Sequence, residues 1–229
     1  MPEQTPKTIN HFAMCRFTPA YYTLPAQAKE DCRAGLLAGL RDAAEHVDIY
    51  QVFPAADSTD ILIWSACAAE DIAVAGQFFT RFAAAINPYR HLLEPLDTLW
   101  GFTKPSMYTR SRSTQELDPF SDDRKPYLVI YPFVKTIDWY LMSRTARQGM
   151  MNEHIQVGKE YPDITQLLLY SFGLQSQEFV VIYETDDLSL FSDLVNQLRS
   201  TEARRYTERD TPLYTAIYHP AEETLQLWK

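Results

Sequence analysis

Seven glycines in 229 residues leave little material for a loop that cradles phosphate. No G-x-G-x-x-G, Walker A, H-E-x-x-H or G-x-S-x-G string occurs, so nucleotide enzymes, zincins and serine hydrolases are poor first readings. Cysteine is scarce as well. Cys15, Cys32 and Cys67 are odd in number, far apart and outside any C-x-x-C pair. Neither a disulfide framework nor a thiolate metal site is expected, and the three read as small buried apolar residues. The other histidines, His11, His46, His91 and His219, show no metal-ligand spacing. No basic run offsets the net charge of −9, which argues against nucleic acid as the main partner. No apolar run reaches the length of a membrane span, and MPEQTPKTINHF lacks the apolar centre of a signal peptide. A cytoplasmic protein is the expectation.

What the chain has is ordinary core material, 46% hydrophobic and 13% aromatic, arranged as one pattern written twice. Residues 10–19 read as a strand, 25–45 as a helix, VDIYQVF and DILIWSACA as strands around a turn, 69–86 as a helix and 94–103 as a strand. The order returns with PYLVIYPFVK, the helical SRTARQGMMNEHIQVGKEY, ITQLLLYSF, EFVVIYET, the helical DLSLFSDLVNQLR and TPLYTAIYH. A β-α-β-β-α-β order is the ferredoxin-like signature. The expectation is an α+β protein of two tandem ferredoxin-like repeats, of the dimeric α+β barrel type, with helices outside antiparallel sheets. The sheets either pack face to face or join into one barrel. Residues 1–108 form the first repeat, the polar stretch 109–125 a linker, and 126–229 the second repeat.

Candidate chemistry lies in the second repeat. Strand alternation places Tyr127, Val129, Tyr131, Phe133 and Lys135 on one face, and Gln166, Leu168, Tyr170 and Phe172 on one face of the next strand. Helical spacing places Met150, Met151, His154 and Val157 on one stripe. His154 is then either a core histidine or a ligand, and Lys135 reads as the wet end of a half-buried strand, on the face it shares with Tyr131. Gln166 is a strand-end glutamine unless a polar group must be met there. Glu202, among arginines, is either a solvated charge or a carboxylate orienting a metal-bound histidine.

The run YPFVKTIDWYLM, then MMNEHIQVGKEYPDITQLLLYSFGLQSQEFVVIYETDDL and LRSTEARRYTERDTPLYT, resembles the chlorite dismutase superfamily, which includes the coproheme decarboxylases. The match is close over 131–215, and GFTKPSMYTR resembles the strand before the family's linker. The resemblance implies that the first repeat keeps the fold while the second binds haem b or iron coproporphyrin III. On the E-H-x-x-x-G segment His154 matches the iron ligand. Tyr131 and Lys135 match Y-P-x-x-K, where the tyrosine forms the radical beside a reactive propionate and the lysine assists. Trp139 matches a tryptophan near the histidine side, and Glu202 the carboxylate bonded to that histidine. Ser106 and Tyr108 match positions near the propionates.

Gln166 discriminates between branches. Chlorite dismutases carry an arginine seven residues before the hairpin glycine, Gly173 here. Its cationic fork holds an oxyanion, and glutamine supplies no such charge. Decarboxylases of Gram-positive bacteria carry glutamine there. The His154–Gln166 interval is one residue shorter than the family's, so anchoring on the histidine would select Leu167 instead. Neither registration yields an arginine. KTIDWY and TEARRYT, however, read closer to the chlorite dismutase and actinobacterial branches. The implied activity is peroxide-dependent decarboxylation of coproheme to haem b, with coproheme and hydrogen peroxide as substrates. A chlorite dismutase-like or peroxidase-like enzyme is the alternative, and a non-catalytic haem carrier or sensor a further one. The resemblance also implies a homo-oligomer, commonly a pentamer.

Overall fold

The computed structural model describes residues 6–108 and 113–229. The first repeat comprises β1 (Thr8–Phe17), α1 (Pro19–Tyr22), α2 (Ala26–Ala43), β2 (His46–Gln51), β3 (Ile61–Ala68), α3 (Val74–Ile86) and β4 (Leu93–Phe102). The second comprises β5 (Tyr127–Lys135), α4 (Ile137–Leu141), α5 (Arg144–Lys159), β6 (Thr165–Tyr170), β7 (Phe179–Thr185), α6 (Leu188–Arg199), β8 (Thr207–Arg209), β9 (Tyr214–Tyr218) and α7 (Ala221–Gln226). The strands pair in the order β4-β1-β3-β2 and β6-β7-β5-β9, the ferredoxin-like order twice. Pairings of β4 with β6 and of β2 with β9 close the two sheets into a single antiparallel barrel.

Period-two alternation explains why the ring closes. Phe12, Met14, Tyr50, Leu62, Trp64, Leu99, Leu128, Ile130, Leu167, Leu169, Val180, Ile182 and Ala216 come from all eight ring strands and form one buried cluster inside it. The intervening residues face the helices. The β4–β6 seam is thin, with Phe102 opposite Tyr170, and two devices extend it. The Gln175 amide imitates a peptide, accepting from Trp100 N–H at 3.0 Å and donating to Thr98 O at 3.0 Å. Gly101 permits the approach, because a Cβ there would stand 2.8 Å from Tyr170 O. Gly173, at φ +70°, makes the left-handed turn between β6 and β7.

The outer faces of the two repeats differ. In the first, α2 buries Cys32, Leu36, Leu37 and Leu40 against the sheet, and all three cysteines are buried and unbridged. In the second, α5 buries no residue at all. Two features mark the ends of the repeats. The stretch 113–125, read from composition as linker, is built into the body: Leu117 belongs to the barrel interior and Arg124 is buried. Residues 109–112 of that expected linker lie outside the described residues. The chain's end crosses back to the first repeat, where Ala221, Leu225 and Trp228 pack with α2 and the Tyr21 hydroxyl donates to Trp228 O at 2.6 Å.

Arg124 closes the end of the barrel where β2 begins and β7 ends. Its Nε donates to Asp48 at 2.8 Å, its terminal nitrogens to Asp118 O and Pro119 O, and its guanidinium lies 4.3 Å from the Trp64 ring centre. Glu184 stands 3.8 Å from Arg124 and accepts from the Tyr50 hydroxyl at 3.4 Å. Burial nevertheless pushes the Glu184 carboxyl up to about 7 from 4.5. A raised folded pKa contributes stability that is whole below pH 4.5 and lost as pH rises to 7. Glu184→Gln should therefore flatten the stability profile between pH 5 and 8 by on the order of 2 kcal/mol, as read by urea unfolding.

Candidate functional site

The helix that buries nothing marks the site. Its C-terminal end is pinned: Val157 and Tyr161 join the cluster on the outer face of β5 and β7, and Gln115 Nε2 reaches Gly158 O, Tyr161 O and Ile164 O at 3.2, 2.8 and 3.1 Å. Its N-terminal end begins at Ser143, which accepts from Ala146 N–H, and meets the segment before the linker through Gln148 Nε2 and Tyr108 O at 3.2 Å. Between these ties the inward stripe of α5 stays half-exposed. The second sheet carries a run of rings, Phe133, Tyr170, Phe172 and Phe179, with Phe133 and Phe179 stacked at 4.6 Å and 11°. An apolar aromatic surface beside an unpacked helix is a place for a flat ligand.

His154 lies on that stripe. Its Nδ1 is buried with no hydrogen-bond partner, and burial, aided by the nearby Lys135 charge, lowers its pKa to about 4. The imidazole is thus neutral and has a nitrogen unspent, as a metal ligand requires. Among the described residues no three side chains of ligating type come together. A metal held by His154 must bring its other ligands with it, as an iron porphyrin does. The residues present fit that group.

Lys135, at the end of β5, is tied rather than free. Its ammonium donates to Ala203 O and Thr207 Oγ1, both at 3.1 Å, and lies 4.7 Å from the centre of the buried Trp139 ring. Burial lowers its pKa to about 8. Two of three donors are used, which leaves one. Trp139 enters from α4, a helix the sequence pattern did not suggest, and also meets Tyr206 at 6.0 Å. Tyr131 is half-buried, stacks on Tyr183 at 6.2 Å and 28°, and shares a side-chain hydrogen bond with it. Burial raises the Tyr131 pKa while the charges of Arg199 and Arg204 oppose that rise. Tyr183 was not singled out in the sequence, yet period-two spacing puts it on the outer face of β7 beside Tyr131.

The two registrations of the distal position separate by face. Leu167 points into the barrel interior, whereas Gln166 is exposed on the outer face with Leu168 and Tyr170. Its backbone bonds Gln115 O and Leu117 N, so the end of the linker runs beside it. Two expected neighbours are not brought in. Glu202 does not bond His154: it is exposed on a 3-10 turn (Glu202–Tyr206), where i,i+3 spacing pairs it with Arg205 at 3.2 Å. Glu153, whose carboxylate accepts from Glu202 N–H, carries the negative charge that acts on His154 instead. Ser106 is exposed and only accepts from Tyr108 N–H within its own turn at 3.2 Å. Tyr108 acts electrostatically on Tyr140 and Tyr170, and its carbonyl accepts from Gln148 Nε2 of α5 at 3.2 Å.

Comparison with known proteins decides the family. The sequence model of the family described as chlorite dismutase matches residues 26–219. The chain belongs to the chlorite dismutase family. A coproheme decarboxylase from Mycolicibacterium smegmatis is 26% identical over 169 residues, covering 73% of this chain and 70% of that protein. A mutant chlorite dismutase from Candidatus Nitrospira defluvii shares the fold at a TM-score of 0.83 and 23% identity, over 96% of this chain and 95% of its own. The imidazole complex of chlorite dismutase from the same organism aligns at a TM-score of 0.82 and 21% identity, over 96% and 94%. The fold is therefore that of the chlorite dismutase family, two ferredoxin-like repeats in one barrel. Among the described residues no helix is long and apolar enough to cross a membrane.

Proposed function

We propose that the chain is a coproheme decarboxylase, which binds ferric coproporphyrin in the α5 cleft through His154 and converts it to haem b with hydrogen peroxide. The observation that carries the reading is the neutral, partly orphaned His154 imidazole on a helix none of whose residues is buried, beside the aromatic outer face of β5, β6 and β7. The relative named for coproheme decarboxylation supports it from outside.

Each round removes one propionate: propionate, hydrogen peroxide and a proton give a vinyl group, carbon dioxide and two waters. Bound through His154, the iron would supply the two electrons that reduce peroxide. Tyr131 is the residue whose phenolic oxygen loses its hydrogen and recovers one from the propionate chain, with the Tyr183 hydroxyl holding it in place. The Lys135 ammonium, fixed by Ala203 O and Thr207, has one donor left for a carboxylate. Trp139 packs beneath that lysine, and Gln166 offers a neutral amide on the sheet side. Glu202 has no part as a direct partner of His154 in this mechanism. A homopentameric assembly, carried over from the family resemblance, is part of the proposal.

Purified protein loaded with ferric coproporphyrin and given two equivalents of peroxide should yield haem b by mass spectrometry, through a mono-vinyl intermediate. Unchanged coproheme would overturn the proposal. The second reading, chlorite breakdown, predicts oxygen evolution on adding chlorite. The neutral amide at Gln166 predicts little or none.

A further inference from the structure

Arg147 precedes His154 on α5 by seven residues, two turns along one face and about 10 Å along the helix axis. That span matches the reach from the centre of a porphyrin to the carboxylates on its edge. Arg147 is half-buried, and its Nε is enclosed with no hydrogen-bond partner. Among the described residues it makes none of the ion pairs. The carboxylate of this corner, Glu178, is already engaged by the Tyr140 hydroxyl and by Lys135 N–H. Arg147 and Tyr108 both act electrostatically on Tyr140, and Tyr108 O accepts from Gln148 Nε2 beside Arg147, so the three lie near the N-terminal end of α5. A guanidinium fork with a buried, unbonded N–H is costly to keep unless an anion completes it.

We propose that Arg147 is a carboxylate-binding residue of the cleft, taking one propionate of bound coproheme and fixing the rotation of the macrocycle about the His154 axis. The inference rests on the coproheme reading above and adds what sets the ring's orientation: with one propionate held by Arg147, a fixed neighbour faces Tyr131. Lysine would supply the charge without the planar fork.

The test is absorption titration of wild type, Arg147→Ala, Arg147→Gln and Arg147→Lys with ferric coproporphyrin III and with its tetramethyl ester. Wild type should bind the free acid far more tightly than the ester. The Ala and Gln variants should lose about 10- to 100-fold for the free acid and nothing for the ester, with the histidine-ligated spectrum retained. Lysine should recover part of the loss. Wild-type affinity for the free acid in both the Ala and Gln variants would overturn the assignment alone. A wild-type protein that binds neither porphyrin would overturn the coproheme reading, and this inference with it.

Discussion

Tyr131→Phe is expected to abolish conversion of coproheme to haem b while leaving coproheme bound. Phenylalanine fills the same place against Tyr183 but has no O–H to lose, so the step that takes hydrogen from the propionate has no carrier. The fold should tolerate the change, since what disappears is one hydrogen bond between two tyrosines, worth about 1 kcal/mol. Mass spectrometry of the porphyrin after peroxide should show coproheme alone, and the absorption titration should match wild type within a few-fold. Undiminished haem b formation in this variant would remove Tyr131 from the mechanism.

The largest effect on stability is expected from Arg124→Met. The arginine is 8% exposed and spends its fork on Asp48, Asp118 O and Pro119 O, with Glu184 alongside and Trp64 beneath. Methionine replaces the bulk and none of the charge, so two buried carboxylates lose their cation and the stretch before β5 loses its anchor. Removing one partner of such a buried network costs about 3–5 kcal/mol. For a chain of this size that corresponds to a Tm lower by on the order of 10 °C. Calorimetry of wild type and variant at one pH measures it. A shift of a degree or two would show that the barrel closes without this cluster.

Arg124 also shows where sequence reading stopped. Its neighbours are polar and turn-forming, so composition made the stretch a linker. Nothing local reveals that its charge meets Asp48, 76 positions away, and Glu184, 60 positions on. The strands were legible, because alternating faces write the barrel interior and the outer aromatic wall directly into the sequence. The stripe carrying His154 was legible too, but its openness was not: periodicity shows which face turns inward, not whether anything fills the space beneath. Short elements escaped the pattern. Both α4, which delivers Trp139, and α7, which returns to the first repeat, are too brief for helical periodicity to show. Glu202 pairs locally, since on a tight turn the Arg205 guanidinium stands three residues on, and a pattern of residue types does not show that pairing. Arg147 and Tyr183 carried a readable signal, spacing of seven from His154 and alternation on β7, that the motif strings did not include.

The central claim is ligation by His154, and absorption titration of wild type and His154→Ala with ferric coproporphyrin tests it most directly. Wild type should bind one equivalent saturably with a histidine-ligated spectrum. His154→Ala should lose that spectrum and, on adding free imidazole to fill the vacated place, regain it. Identical spectra for the two proteins would contradict the account.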